Sequence, residues 1–217
     1  MPKHRPTPDV PVPGDSRLVS FHAEVVAHGS FTQDWVTARV HAWEPILKEL
    51  EGRQTRILEI GSYEGLSTCF LLWRLPSAIV TCVDPFIGTQ EDAGRLPPVE
   101  LEASFDANVA LVDAARVRKL VGSSKRLLVD LAADGARFEL VYVDGSHFGL
   151  DVLVDAALAW DLMTPGGVII FDDYHWSRLG DDPLLRPGPA IDAFREVVSG
   201  SHELVFANDQ IALRRTG

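Results

Sequence analysis

The run Val141–Tyr174, VYVDGSHFGLDVLVDAALAWDLMTPGGVIIFDDY, decides how this chain is read. Phe138 to Val143 (FELVYV) and Gly167 to Phe171 (GVIIF) are short apolar stretches, and Leu150 to Leu162 between them carries a helical pattern. Strands that are apolar on both faces, joined through a helix, are the unit of a parallel sheet covered on both sides. The first stretch ends in Asp144 and the second in Asp172-Asp173. Carboxylates therefore stand at the carboxyl ends of two strands, the edge at which such sheets bind ligands.

Working outward, the alternation recurs. Arg56 to Ile60 (RILEI), Ala78 to Val83 (AIVTCV) and Arg116 to Val121 read as strands. Leu66 to Leu75, Val99 to Leu111 and Lys125 to Ala133 read as the helices that follow them. Upstream, Trp35, Val36, Val40, Trp43, Ile46, Leu47 and Leu50 recur at helical spacing and predict a helix over Phe31 to Leu50, kinked at Pro45. Downstream, a helix near Ala190 to Val198 precedes two strands, Glu203 to Phe206 and Gln210 to Arg214, joined by Ala207-Asn208-Asp209. The expected fold is α/β: a doubly wound, mostly parallel seven-stranded sheet with a C-terminal antiparallel hairpin at one edge. Residues 1–16, with five prolines, read as a flexible arm, and 17–217 as a single domain.

Composition narrows the function. The 217 residues are 46% hydrophobic, enough for a substantial core, and the formal net charge is −11. An acidic surface repels phosphate backbones and anionic lipid, so neither nucleic acid nor membrane is the expected partner. No apolar run reaches the ~20 residues of a spanning helix. The opening MPKHRPTPDVPVPGD lacks the apolar core of a secretory signal. Cys69 and Cys82 do not form a C-x-x-C pair, which favours a reducing cytoplasm. A homodimer is compatible with all of this.

The first strand runs into Glu59-Ile60-Gly61-Ser62-Tyr63-Glu64-Gly65. The dinucleotide fingerprint G-x-G-x-x-G fails at Tyr63 and Leu66, and the chain has no G-K-[ST] of a phosphate-binding loop. Asp84 lies 19 residues beyond Gly65, near the ~20-residue offset at which an acid meets ribose hydroxyls. An acid for ribose without a phosphate cradle suits an adenosyl ligand lacking phosphates, such as S-adenosylmethionine. The plain alternative is a tight turn and a solvated aspartate.

EIGSYEGLST (Glu59–Thr68) resembles the first motif of the catechol-type O-methyltransferases, and Val141–Tyr174 is similar to methyltransferase family 24 of the class I S-adenosylmethionine-dependent enzymes. The resemblance covers about residues 55–175. It implies that Glu59, Gly61, Ser62, Tyr63, Gly65 and Ser67 line the turn and the methionine moiety. It also implies that Asp84 holds the ribose, that Gly122, Ser123 and Ser124 hold the adenine, and that Asp144 faces both cofactor and acceptor. For Ser123-Ser124 a helix N-cap is the alternative.

Neighbouring strands lie ~4.8 Å apart, so Asp144, Asp172 and Asp173 are expected to converge. Converging carboxylates require a proton or a cation, and an all-oxygen set selects Mg²⁺, with Mn²⁺ or Ca²⁺ as substitutes. The resemblance to metal-dependent O-methyltransferases implies the same three ligands. Capping aspartates without a metal are the alternative. His147 follows Asp144 by three residues, where the resemblance implies the lysine base of catechol-type enzymes. A histidine, with a reference pKa of ~6.5, can take a proton near neutrality. Metal ligation and a solvent-facing helix start are the other readings.

Tyr174-His175-Trp176 is read evenly as pocket wall or as packing for the last helix, and Pro85 to Pro98 as a lid or a passive insertion. Trp35, Trp43, Trp73 and Trp160 are assigned to the core, Asp151 and Asp155 to a solvated helix face, and Asp181-Asp182 to an exposed loop. The function expected is methyl transfer from S-adenosylmethionine to a hydroxyl of a small molecule, with a divalent cation polarising that hydroxyl. Metal-independent methyl transfer and a non-catalytic cofactor-binding module are the alternatives.

Overall fold

Along each central strand, successive side chains enter opposite layers, and that alternation sets the architecture. The structure, a computed structural model, describes residues 16–88 and 97–217. The strands are β1 (Thr55–Ile60), β2 (Ala78–Asp84), β3 (Val117–Val121), β4 (Phe138–Val143), β5 (Met163–Phe171), β6 (His202–Ala207) and β7 (Ile211–Arg215). They form one sheet in the order β3-β2-β1-β4-β5-β7-β6. The first five are parallel, while β7 is antiparallel to both β5 and β6. The expected sheet and its C-terminal hairpin are therefore present.

The helices are α1 (Ser16–Glu24), α2 (Glu44–Leu50), α3 (Leu66–Arg74), α4 (Pro98–Ala110), α5 (Ser124–Ala133), α6 (Gly149–Asp161) and α7 (Pro187–Val197). Ile57, Leu140, Tyr142, Val168 and Ile170 pack into a layer with Phe21, Trp43, Leu47 and Leu71. Leu58, Ile60, Val141, Val143, Ile169 and Phe171 enter the other layer with Leu128, Ala156, Ile191 and Phe194. Each large aliphatic or aromatic side chain so buried contributes ~1.5–3 kcal/mol. Among the described residues, no helix is long and apolar enough to cross a membrane.

The N-terminal part departs from the sequence reading. Ser16–Glu24 is a helix whose Leu18 and Phe21 are buried, where no element was expected. The continuous helix expected over Phe31 to Leu50 is a 3₁₀ turn, Val40–Trp43, followed by α2. Pro45 starts α2 rather than kinking it, because a first-turn proline loses no hydrogen bond. Residues 31–39 leave the helical path and run across the carboxyl edge of the sheet. The expected arm lies outside the described residues apart from Ser16, and so does 89–96 of the stretch read as a lid or a passive insertion.

The sheet order reverses between β2 and β4, on either side of β1. A crevice opens at such a switch point, above the carboxyl ends of the strands.

Candidate active site

The turn after β1 is held from below and from the side. Glu59 shares the buried face of β1 with Ile57 and is fully buried. Its carboxylate accepts hydrogen bonds from Ser62 Oγ (2.6 Å), Ser67 Oγ (2.6 Å) and Thr68 Oγ1, with Cys82 Sγ at 3.4 Å. Burial raises its pKa, and these hydroxyls pull the other way. Glu59 is thus no part of the cavity wall, contrary to expectation. It braces Ser62 and Ser67, which are.

Gly61 has φ +86°, and a Cβ there would lie 2.2 Å from the Asp144 carbonyl oxygen, so only glycine lets β1 and β4 close together. Tyr63 follows in the left-handed region (φ +48°), a costly conformation for a bulky residue. The turn persists because Asp84 accepts from the amides of Ser62 (2.7 Å), Tyr63 (2.9 Å) and Phe86 (2.6 Å). Burial raises the Asp84 pKa against the pull of those three amides. Asp84 is therefore both the wall acid that the sequence suggested and the clamp of the turn. Gly65 (φ +81°) opens α3 with its back against Phe105, behind the wall.

At the ends of β4 and β5 the three expected aspartates do meet one network, but a protein cation sits in it. Arg39 Nη1 donates to Asp172, and both Nη1 and Nη2 reach Oδ1 of Asp173 at 3.2 Å. The Tyr142 hydroxyl contacts Asp172 and lies 3.0 Å from Oδ2 of Asp144. Gln210 Nε2 donates to Asp172 at 3.0 Å. His147 Nε2 lies 2.7 Å from Oδ2 of Asp173. Loss of water pushes the Asp144 carboxyl up to about 8, reinforced by repulsion from Asp173. Burial also pushes Asp173 upward, but its hydrogen bond to His147 and the charge of Arg39 hold it below the usual aspartate value.

This donor set does not fit the expected metal as arranged. Among the described residues, no group of three or more His, Cys, Asp or Glu side chains could hold a metal ion. The physical reason is that the oxygens of Asp172 and Asp173 already face a guanidinium, an amide, a phenol and an imidazole.

One cavity joins these parts. Its wall includes Gly61, Ser62, Tyr63, Ser67, Asp84, Asp144, His147, Asp172 and Asp173. Trp176 lies parallel to the His147 ring, centroids 4.2 Å apart at 9°, and Trp35 packs on Tyr63 at 5.3 Å. Gly122, Ser123 and Ser124 stand at the end of β3, outside this wall. They connect to it through the Gly122 amide, which donates to the Asp84 carbonyl at 3.0 Å. Ser123 takes the N-cap place of α5 without a side-chain cap bond.

Several assignments change. Trp35, expected in the core, is 45% exposed and lines the cavity. Asp155, expected on a solvated face, is 2% exposed, and burial pushes its pKa up to about 6. Trp176 forms wall, whereas the Tyr174 hydroxyl reaches Asp192 of α7 at 3.0 Å, so the aromatic loop divides between its two readings. Arg39, Tyr142 and Gln210 were missed.

A family model described as "Methyltransferase domain", family 24, matches residues 58–174. The chain belongs to this family. The glycine turn, Asp84, Asp144 and Asp172-Asp173 all fall inside the matched stretch. No curated protein sequence matches the chain. Among solved structures, the methyltransferase MycE of the mycinamycin biosynthetic pathway, in complex with Mg, SAH and mycinamycin VI, has a TM-score of 0.64 at 18% identity. That alignment takes in 93% of this chain and 53% of MycE, so the chain spans about half the length of that relative. The O-methyltransferase TomG from Streptomyces achromogenes, in complex with SAM, aligns over 93% of this chain and 89% of its own (TM-score 0.62, 21% identity). An O-methyltransferase from Bacillus cereus in complex with SAH aligns over 95% and 94% (TM-score 0.60, 19% identity). At these identities the likeness establishes the methyltransferase fold.

Proposed function

We propose that this methyltransferase moves a methyl group from S-adenosylmethionine to a hydroxyl of a small molecule. The observation that carries the proposal is the His147–Asp173 pair, 2.7 Å apart, on the wall that also holds the glycine turn and Asp84. When bound, S-adenosylmethionine supplies a methyl group activated by a sulfonium. The chain supplies alignment and charge control. Asp84 offers acceptors to ribose hydroxyls, and the Gly61–Gly65 turn brings bare backbone close to the methionine part. Gly122, Ser123 and Ser124 are the proposed adenine side.

His147 accepts the proton of the acceptor hydroxyl, and Asp173 stabilises the imidazolium that forms. Asp144, with its raised pKa, orients the acceptor next to it. No step is assigned to a divalent cation, because Arg39 already faces the carboxylates that would hold it. Trp176 and Trp35 give the acceptor apolar faces, which suits a ring, whether catechol, sugar or another natural-product scaffold. The buried thiols Cys69 and Cys82 support a reducing, cytoplasmic setting.

The test is to incubate the protein with S-adenosylmethionine and a panel of catechols and sugars, and to follow S-adenosylhomocysteine release and acceptor mass. A methylated oxygen in the wild type, lost in His147→Asn with cofactor binding intact, is the expected result. Cofactor binding with no acceptor turned over would favour the non-catalytic module.

A further inference from the structure

We infer that Arg39 is the resident cation of the strand-end carboxylates, standing where the sequence places a divalent metal, and that a divalent cation reaches these oxygens only by displacing it. The inference goes beyond methyl transfer and does not depend on the acceptor. Three observations carry it.

The first is contact. One guanidinium meets both Asp172 and Asp173, the two acids contributed by β5. The Asp172 side chain is 3% exposed, so the charge of Arg39 acts there with little solvent screening.

The second is saturation. Asp172 also takes hydrogen bonds from Tyr142 and Gln210, and its Oδ1 accepts from the Asp173 amide at 2.6 Å. An added cation would have to remove a donor to gain an oxygen. Arg39 is the donor that can leave, because its side chain is 29% exposed while Tyr142 and Gln210 are buried.

The third is attachment. Arg39 ends the segment 31–39, which crosses the sheet edge and carries Gln33, Trp35 and Val36 into the cavity wall. Elsewhere this segment is tied by the Thr32 amide to Glu64 (2.6 Å) and by the Thr37 hydroxyl to His22 Nε2 of α1 (3.0 Å). Arg39 is its link to β5. Displacing the guanidinium therefore loosens a wall of the cavity, and cation loading and closure of this segment oppose each other.

The test uses the full chain and Mn²⁺ as probe, with free Mn²⁺ counted by electron paramagnetic resonance. Arg39→Gln keeps an N–H donor for Asp172 and removes the charge, and Arg39→Lys keeps the charge. The expected result is Mn²⁺ affinity higher by roughly tenfold or more in Arg39→Gln than in wild type, with Arg39→Lys close to wild type. Hydrogen exchange supplies a second readout: Mn²⁺ bound to the wild type should speed exchange in 31–39 and leave β1 unchanged. Equal Mn²⁺ affinity in wild type and Arg39→Gln overturns the inference. So does the absence of millimolar Mn²⁺ binding by Arg39→Gln, or Mn²⁺ binding by wild type with 31–39 still protected.

Discussion

His147 Nε2 and Oδ2 of Asp173 lie 2.7 Å apart, joining the start of α6 to the end of β5 across the mouth of the cavity. Asp173 holds its place in the left-handed region (φ +57°), which aspartate tolerates better than bulky residues do. A base oriented by a carboxylate loses its function when either partner is neutralised. His147→Asn should lower kcat by about 10²–10⁴-fold with S-adenosylmethionine affinity unchanged. Asp173→Asn should lower kcat in the same direction by a smaller factor. Steady-state rates together with calorimetric titration of the cofactor check both.

Gly61→Ala puts a methyl group on the Asp144 carbonyl at a positive φ. The variant should lose about 1–3 kcal/mol of stability and its cofactor binding together. Urea unfolding and cofactor titration read the two effects.

Removing the Glu59 carboxylate strands three buried hydroxyls at once. Glu59→Ala should cost on the order of 3 kcal/mol and weaken cofactor binding through Ser62 and Ser67. Glu59→Gln, which retains an acceptor, should cost less on both counts. The measurement is the denaturation midpoint of each variant, followed by titration at a temperature where both are folded.

Asp155 titrates at about 6 in the folded chain against 3.8 for an ordinary aspartate, because burial disfavours its charge. The folded state therefore binds more protons than the unfolded state between these values. Its contribution is fully present below pH 3.8 and is lost as pH rises through about 6, by about 3 kcal/mol in all. Asp155→Asn should flatten this part of the stability–pH curve, as read from urea midpoints between pH 4 and 7.5, set about these values. An unchanged slope would refute the assignment.

Trp176→Ala removes the ring stacked on His147. Acceptor KM should rise by up to about tenfold, the equivalent of one aromatic pair, with a smaller change in kcat. Tyr174→Phe, which loses the contact to Asp192, should leave KM unchanged and lower stability by about 1 kcal/mol.

The strands were legible because burial on both faces writes itself as continuous apolar runs, and FELVYV matches β4 residue for residue. The strand-end acids followed from the same reading, since β4 and β5 are hydrogen-bonded neighbours ending at Val143 and Phe171. Glu59 was misplaced although its alternation with Ile57 already put it on the buried face rather than at the open edge. Asp155 was misplaced because only the docking of α5 beside α6 encloses it. Arg39 and Gln210 had no local signal: they reach Asp172 across 133 and 38 residues of chain, from the turn before a 3₁₀ segment and from a hairpin turn. Cavity residues on irregular backbone carry no periodicity to read.

Gln210 sits at the turn into β7, 1% exposed, with its amide on Asp172 and its carbonyl taking the Trp43 indole at 2.8 Å. A ribosome delivers Asp172 well before the residue that clamps it. The nascent chain thus carries Asp172 while the residue that clamps it is still unmade. Asp172 therefore gains its Gln210 partner only once the C-terminal hairpin has been made, so one side of the carboxylate network is completed from the last part of the chain.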